Sequence, residues 1–244
     1  MIRRYSAIER RTRIFFSSLL DLVFPPRCVS CRRLGRRICE PCAAGITWID
    51  DNFCAQCGLP LDGRKTHACI DPDCLGFIRS AAVFSGAVRR GLHALKYYSD
   101  CSLADQLVHR AHSHWNPPSW DFDALMPVPL GRKRERMRGY NQSLLLAEAL
   151  SRLVDIPVDS RSLTRVRETQ SQVGLSIQAR KQNTADAFRA SAVRRRKVLL
   201  VDDVCTTGAT LQSCAEALIQ AGSTRIGALT IARAILPAAR QEEH

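Results

Sequence analysis

The sequence has few aromatic residues and no long apolar run. Aromatic residues make up only 6% of its 244 residues, so stacking on aromatic rings is not expected to be the main mode of binding. The basic N-terminus followed by an apolar stretch is typical of a signal peptide, but Asp21 interrupts that stretch and no small-residue cleavage site follows. Residues 14–22 are instead predicted to form a short helix before Pro25 and Pro26. Because no segment approaches the roughly 20 apolar residues that span a bilayer, we expect a cytoplasmic protein without membrane insertion.

Acidic residues are also in short supply relative to basic ones. The chain has 36 Lys and Arg against 23 Asp and Glu, which gives a formal net charge of +13. A basic surface attracts phosphate groups, whether on nucleic acid, on lipid head groups or on a small phosphorylated substrate. An arginine-rich protein without such a partner would have the same composition, so the charge alone does not identify a ligand.

Cysteine, in contrast, is abundant and clustered. Eight of the eleven cysteines lie between positions 28 and 74, as three C-x2-C pairs followed by two single cysteines: Cys28, Cys31, Cys39, Cys42, Cys54, Cys57, Cys69 and Cys74. Two such pairs can direct four thiolates to one point, which is the ligand set of a tetrahedral zinc site. A disulfide framework fits poorly, because no secretory signal is present. The spacing therefore predicts two structural Zn²⁺ ions.

The division of the eight cysteines between two sites is open at the level of the sequence. A sequential arrangement uses the first four cysteines for one site and the last four for the other. A cross-braced arrangement combines the first pair with the third, and the second pair with Cys69 and Cys74. We favour the sequential arrangement, although the seven residues between Cys31 and Cys39 make its first site tight.

From about residue 79, short apolar runs alternate with amphipathic segments. The runs at 80–86, 124–130, 197–204 and 226–233 are typical of strands, and those at 87–98, 141–154 and 208–222 of helices. This alternation predicts an α/β fold with a mainly parallel sheet and flanking helices. We therefore divide the chain into an N-terminal helix with a cysteine-rich zinc-binding domain over residues 1–77, and an α/β domain over residues 78–244.

The segment VLLVDDVCTTGAT, residues 198–210, places two carboxylates and a small-residue turn at the end of a strand that is apolar on both faces. The turn consists of Thr206, Thr207, Gly208, Ala209 and Thr210. Its backbone N–H groups, its hydroxyls and the following helix N-terminus form a cup for phosphate. No Gly-Lys-Ser/Thr follows, which excludes a Walker loop. Asp202 and Asp203 would be repelled by phosphate and suit vicinal sugar hydroxyls, so the predicted ligand is a ribose 5-phosphate.

The same thirteen residues resemble, position by position, the phosphoribosyl-pyrophosphate (PRPP) signature of type I phosphoribosyltransferases. Two further segments, PVPLGRKRERMRGYNQSLLLAEAL and RVRETQSQVGLSIQARKQNTADAF, are similar to segments of the ComF family of competence-associated proteins. That family joins a zinc ribbon to an amidophosphoribosyltransferase-like domain, and the likeness covers residues 24 to about 235. The resemblance implies a type I phosphoribosyltransferase fold preceded by a small zinc-ribbon domain.

The resemblance also implies a reaction, in which a nucleophile displaces pyrophosphate from C1 of PRPP. Asp202 and Asp203 would be the catalytic pair that holds the ribose, with Mg²⁺ bridging the ribose hydroxyls and the pyrophosphate. The cation-rich stretch 131–139 offers Arg138 to the pyrophosphate. Arg167 and Arg180 belong to a polar segment that would close over PRPP as a flexible loop. The acceptor is not indicated by any motif.

A second hypothesis comes from the family's link to DNA uptake in natural transformation and to the use of DNA as a nutrient. The chain would then be a non-catalytic protein that binds single-stranded DNA, with its PRPP fold kept as a binding or sensing module. The net charge and the RRRK run at 194–197 fit contacts with a phosphate backbone. Proteins of the DNA-uptake machinery are the partners that this hypothesis implies.

Overall fold

The computed structural model of the chain describes residues 25–49, 53–61, 74–98, 100–167, 187–191 and 196–235. The predicted N-terminal helix at 14–22 lies outside these residues. So do Cys69, Arg180 and most of the predicted flexible loop.

The helices and strands of the described residues follow one another along the chain. They are α1 (Glu40–Ala44), β1 (Phe77–Val83), α2 (Gly86–Tyr97), α3 (Leu103–Ala111) with a 3₁₀ turn (His112–His114), β2 (Ala124–Pro127), α4 (Arg132–Arg138), α5 (Gln142–Val154), β3 (Leu163–Arg165), β4 (Phe188–Ala190), β5 (Lys197–Cys205), α6 (Ala209–Gln220) and β6 (Arg225–Arg233).

A parallel sheet with the strand order β1-β6-β5-β2 lies at the centre of the described part of the chain. The third residue of the central strand β5, Leu199, pairs with Leu125 of β2 on one side and Gly227 of β6 on the other. The four residues 198–201 of β5 are fully buried, as their continuous apolar character predicts. The expected α/β fold with a mainly parallel sheet is confirmed.

Helices cover both faces of this sheet. One face packs against α2, α3 and α5 through a core that includes Leu92, Leu107 and Leu146. The other face packs against α6 and the antiparallel β3–β4 pair, through residues such as Leu218 and Phe188. The short β3–β4 pair was not anticipated from the sequence. No helix in the ranges that the structure describes has the length and apolar character to cross a bilayer.

The first strand lies earlier in the chain than its sequence pattern predicts. The apolar run at 80–86 suggested a strand there, but β1 covers Phe77–Val83. Ser85 already has the extended backbone of a helix N-cap, and Gly86 begins α2 with a φ of 48°. The helix start therefore ends the strand, and the buried Phe77 and Ile78 extend it in the other direction.

The first and third C-x2-C pairs form the same kind of turn. Cys28 N donates to Arg33 O at 2.8 Å, and Cys54 N donates to Leu59 O at 2.8 Å. The fifth residue of each turn adopts a left-handed conformation, with a φ of 66° at Arg32 and 67° at Gly58. In the turn of Cys54 and Cys57 only glycine fits at the fifth position, because a Cβ on Gly58 would lie 2.5 Å from Ile78 O.

The cysteine-rich part is continuous with the core of the α/β part. Ile49 N donates to Ala81 O and Val83 N donates to Thr47 O, each at 2.9 Å, so residues 47–49 lie along β1. The side chains of Ile38 and Ile46 are buried in the same hydrophobic cluster as α2 and α3. Packing of the described residues therefore joins the two parts.

Candidate functional site

A cleft of about 670 Å³ opens at the carboxyl ends of β2 and β5. In open parallel sheets this edge is where ligands bind. Four cationic side chains and two carboxylates contribute to its wall: Lys96, Arg134, Arg138, Arg165, Asp202 and Asp203. The excess of positive charge suits a ligand that carries several negative charges.

The two aspartates lie inside the last part of β5, which continues to Cys205. Strand β2 ends opposite Val201, so the carboxylates stand just beyond the end of their neighbouring strand. Asp202 is half-buried, and its Oδ1 accepts from Ser143 Oγ at 2.7 Å and from Asp203 N at 2.9 Å. Asp203 is only 5% exposed and forms an ion pair with Lys96.

These contacts give the two carboxyls opposite protonation behaviour. Burial raises the pKa of Asp202 to about 7, and the negative charge of Asp203 acts in the same direction. Burial also opposes ionisation of Asp203, but Lys96 outweighs it and lowers the pKa of Asp203 below its usual value. Near neutral pH Asp203 is therefore ionised, whereas Asp202 exists in both its protonated and its ionised form.

The start of α5 positions Ser143 against Asp202. Asn141 is the N-cap of this helix, and its Oδ1 accepts from Ser143 N at 3.0 Å. Its Nδ2 donates to Val128 O at 3.0 Å, which ties the helix start to the chain after β2. One buried amide thus links the strand end, the helix and the acidic pair.

The predicted phosphate cup lies at the start of α6. Four of its five residues line the cleft, namely Thr206, Gly208, Ala209 and Thr210. Gly208 is the N-cap of the helix, with a left-handed φ of 85°. Thr207 differs from the others, because its Oγ1 accepts from Ala209 N at 3.4 Å and its side chain is not part of the cleft wall. Within the predicted cup, Thr207 therefore stabilises the turn.

Of the predicted pyrophosphate partners, the structure places one in the cleft wall and one outside it. Arg138 lines the cleft at the end of α4, where it donates to Gln142 and lies over the ring of Tyr97 at 5.6 Å. Arg167 is exposed and is not part of the cleft wall, and its carbonyl accepts from Arg165 Nε at 3.3 Å. Arg165 lines the cleft in its place. Arg180 lies outside the described residues.

Lys96, Ser143 and Arg134 were missed by reasoning from the sequence. Lys96 is in the last turn of α2, far from β5 along the chain, and only the packing of the helix brings it to Asp203. Arg134 could have been found, since it lies four residues before Arg138 and thus on the same face of a helix. Ser143 offers no such signal, because a serine in the first turn of a helix is common.

The first four cysteines form a compact cluster. The sulfur atoms of Cys28, Cys31, Cys39 and Cys42 all lie within 4.8 Å of one another. Four sulfurs at 2.3 Å from one tetrahedral zinc ion would be about 3.8 Å apart, so this set fits a structural Zn²⁺ after small adjustments. The cluster matches the sequential arrangement of ligands.

The structure describes three of the four cysteines of the predicted second zinc site. Cys54 and Cys57 lie in a turn with the same hydrogen bonds as that of Cys28 and Cys31, and Cys74 precedes β1. Cys69 lies outside the described residues. A second zinc site at these four cysteines therefore stays a prediction.

Comparison with known proteins finds a family match in each part of the chain. Residues 19–75 match the double zinc ribbon domain family, and residues 141–243 match the phosphoribosyl transferase domain family. Among solved structures, the purine phosphoribosyltransferase from Pyrococcus horikoshii Ot3 covers 59% of this chain and 81% of its own, at 16% identity. Its TM-score of 0.31 is too low for any inference.

Three curated relatives align with most of the chain. Competence protein F of Haemophilus influenzae is 42% identical over 232 residues, which are 85% of this chain and 97% of the relative. DNA utilization protein YhgH of Escherichia coli K12 is 32% identical, over 88% of this chain and 100% of the relative. Competence protein ComFC of Bacillus subtilis is 26% identical, over 81% and 84%. With a zinc ribbon joined to a phosphoribosyltransferase domain and relatives of this extent, the chain belongs to the ComF family of competence and DNA-utilization proteins.

Proposed function

We propose that the cleft at the end of β5 binds PRPP with Mg²⁺, and that the chain transfers the phosphoribosyl group to an acceptor with release of pyrophosphate. The names of its relatives suggest that this activity serves DNA uptake or the use of DNA. One observation carries the proposal. The acidic pair, the glycine turn at the start of α6 and four cationic side chains all face the same cleft.

Each part of PRPP has a matching part of the cleft. The 5-phosphate would accept hydrogen bonds from the backbone and hydroxyls of the turn at 206–210, beside the positive end of the α6 dipole. The two ribose hydroxyls would donate to Asp202 and Asp203. The pyrophosphate would lie toward Arg134 and Arg138, with Arg167 and Arg180 as the predicted partners from the adjoining segment.

The reaction breaks the bond between C1 of the ribose and the pyrophosphate oxygen, and pyrophosphate leaves with the electron pair. The acceptor supplies a new electron pair to C1 and loses a proton. The carboxylates of Asp202 and Asp203 stabilise the positive charge that develops on the ribose. Lys96 keeps Asp203 ionised for this role. Asp202 and Asp203 would hold Mg²⁺ at this end of the cleft, and the ion would neutralise charge on the departing pyrophosphate.

Removing the two carboxylates tests the proposal. The double substitution Asp202→Asn with Asp203→Asn keeps the size of the side chains but removes their charge. A hydrogen bond to a charged group contributes about 1.5–3 kcal/mol, so PRPP affinity measured by calorimetry with Mg²⁺ should fall by well over tenfold.

A matched control removes two negative charges elsewhere. Asp105 and Asp155 lie away from the cleft wall, at the surface, so Asp105→Asn with Asp155→Asn should bind PRPP as the wild type does. The proposal fails if the wild type does not bind PRPP, or if the Asp202/Asp203 variant binds it equally well. Pyrophosphate release measured across a panel of nucleobases then identifies the acceptor.

Binding of single-stranded DNA is the second candidate function, and the outer face of α4 favours it. Arg132, Lys133 and Arg136 are exposed next to Arg134 and Arg138, which line the cleft. Such a row of cations suits a phosphate backbone, and binding should weaken steeply with salt as counterions are released. Lys133→Glu with Arg136→Glu should reduce DNA binding and leave PRPP binding intact. Binding that is absent at low salt, or insensitive to salt, rules out this function.

A further inference from the structure

Two arginines are buried between the sheet and the turn of the third C-x2-C pair, Cys54 and Cys57. Arg79 of β1 is 6% exposed and Arg233 of β6 is 4% exposed. Burying a guanidinium is costly unless an opposite charge compensates it. Within the described ranges, neither arginine forms an ion pair with a carboxylate, and the Nε atom of each has no hydrogen-bond partner.

Both guanidiniums are directed at the turn that carries Cys54 and Cys57. Arg79 Nη1 donates to Ala55 O at 2.7 Å, and the group lies 4.6 Å above the ring of Phe53. Arg233 Nη1 donates to Cys57 O at 2.9 Å. The turn that accepts these hydrogen bonds carries the thiols of Cys54 and Cys57, which become negatively charged when they bind a metal ion.

Arg233 also reaches the end of β5. The same Nη1 atom lies 2.8 Å from the sulfur of Cys205, a residue that is 3% exposed and immediately precedes the phosphate cup. In the sheet, Arg233 is the register partner of Cys205, and Ala234 N donates to Cys205 O at 2.9 Å. The Arg233 side chain thus contacts both Cys57, in the turn of the third C-x2-C pair, and Cys205, at the end of β5 just before the cup.

We infer that Arg79 and Arg233 are the counter-charges of a zinc–thiolate site built on Cys54 and Cys57, and that Arg233 ties this site through Cys205 to the cup at 206–210. A tetrathiolate Zn²⁺ site has a formal charge of −2, which two guanidiniums cancel. Zinc bound at this site stabilises the turn. The carbonyl of Cys57 in that turn binds Arg233, and Arg233 in turn contacts Cys205 at the end of β5. Arg233 is thus a positioning residue for the cup. Only this last step rests on the proposed PRPP site.

The charge assignment is tested by zinc retention. Wild type, Arg79→Met and Arg233→Met are titrated with a chelator, and the zinc released per chain is measured. Outer partners of a metal site affect affinity by about 10–100-fold, so one zinc ion should leave each variant at a correspondingly lower chelator concentration. Arg233→Lys keeps the charge and should fall between Arg233→Met and wild type. Arg225→Met removes a half-buried arginine from the other end of β6, away from the turn of Cys54 and Cys57, and should match wild type. Unchanged retention in both buried variants overturns the inference.

The link to the cup is tested in the wild type, which avoids any failure of a variant to fold. Zinc is removed stepwise, and alkylation of each cysteine is followed by peptide mass spectrometry. Cys205 should become reactive together with Cys54 and Cys57, whereas Cys214, buried under α6, should stay protected. If Cys205 remains protected after Cys54 and Cys57 react, the link is wrong. Neither readout involves PRPP, so a failure of the proposed PRPP site would not change these results.

Discussion

Asp202 and Asp203 are neighbours in the chain, yet their surroundings differ. Asp203 is paired with Lys96, while Asp202 accepts from the neutral Ser143 hydroxyl and from the backbone N–H of Asp203. Loss of solvation and the adjacent negative charge of Asp203 make the Asp202 carboxyl hold its proton to higher pH, and Lys96 opposes them only in part. One carboxyl of the proposed ribose site therefore changes its charge near pH 7, so the pH dependence of PRPP binding tests its role.

We predict that PRPP binding strengthens as the pH rises from 6 to 8. The pKa of Asp202 is raised to about 7, and the ribose hydroxyls bind best to the ionised form. Below pH 7 this carboxyl must lose its proton on binding, so affinity should rise by up to about tenfold per pH unit and level off above pH 7. Calorimetry at several pH values measures both the affinity and the proton release.

The phosphates of PRPP also titrate in this range, so the comparison needs a variant. Asp202→Asn retains the titration of the ligand but lacks that of the carboxyl. Its binding should change less with pH than that of the wild type. Equal pH dependence in the two proteins would mean that Asp202 does not take part in binding.

At the scale of elements, the start of α5 contributes both to the stability of the fold and to the position of Ser143 beside Asp202. Asn141 is buried and makes two hydrogen bonds, one to the helix and one to the chain after β2. We predict that Asn141→Ala lowers the free energy of unfolding by about 1–2 kcal/mol, because it removes a helix cap and leaves Val128 O without this donor. Thermal and urea unfolding measure the loss. PRPP affinity should fall as well, since Ser143 loses its fixed position.

Ser85 provides the matched control, since it is the N-cap of α2 but makes no capping hydrogen bond with its side chain. Ser85→Ala should leave both stability and PRPP binding close to those of the wild type. A loss of stability equal to that of Asn141→Ala would show that the two hydrogen bonds of Asn141 do not account for its effect.

At the scale of the whole molecule, the cysteine-rich part and the sheet share one core. Ile38 and Ile46 are buried with residues of α2 and α3, and a Cβ on Gly91 of α2 would lie 3.6 Å from the side chain of Ile38. We predict that Cys28→Ser releases one zinc ion and lowers the stability of the entire chain. Structural zinc contributes directly to folding free energy, and the shared core transmits its loss.

Metal analysis and calorimetric unfolding check this prediction. The zinc content should fall from about two ions to about one per chain, as the two predicted sites require. Unfolding should remain a single transition at lower temperature, because the two parts unfold together. Cys101→Ser, outside both clusters and exposed, should change neither quantity. Two separate transitions in Cys28→Ser would show that the cysteine-rich part unfolds independently.

Local patterns in the sequence predicted the features that depend on short stretches of chain. The C-x2-C spacing predicted that Cys28, Cys31, Cys39 and Cys42 share one ligand set, since the two pairs lie within 15 consecutive residues. The apolar run of β5 predicted a buried central strand, and the residues after it predicted the glycine turn into α6. The short β3–β4 pair escaped prediction, because its two strands are far apart in the chain and each has only three residues.

The sequence by itself determined which chemical groups this protein carries: a clustered cysteine set, two carboxylates at a strand end and a small-residue turn beside them. These depend on residue type and spacing within single segments. Only the tertiary structure decided which distant side chains complete them. Lys96 meets Asp203 because α2 packs on the sheet. Arg233 meets Cys205 because β5 and β6 run parallel, and it meets Cys57 because the turn of Cys54 and Cys57 packs beside the sheet. The sequence shows no periodic pattern for such contacts, because packing rather than local spacing creates them.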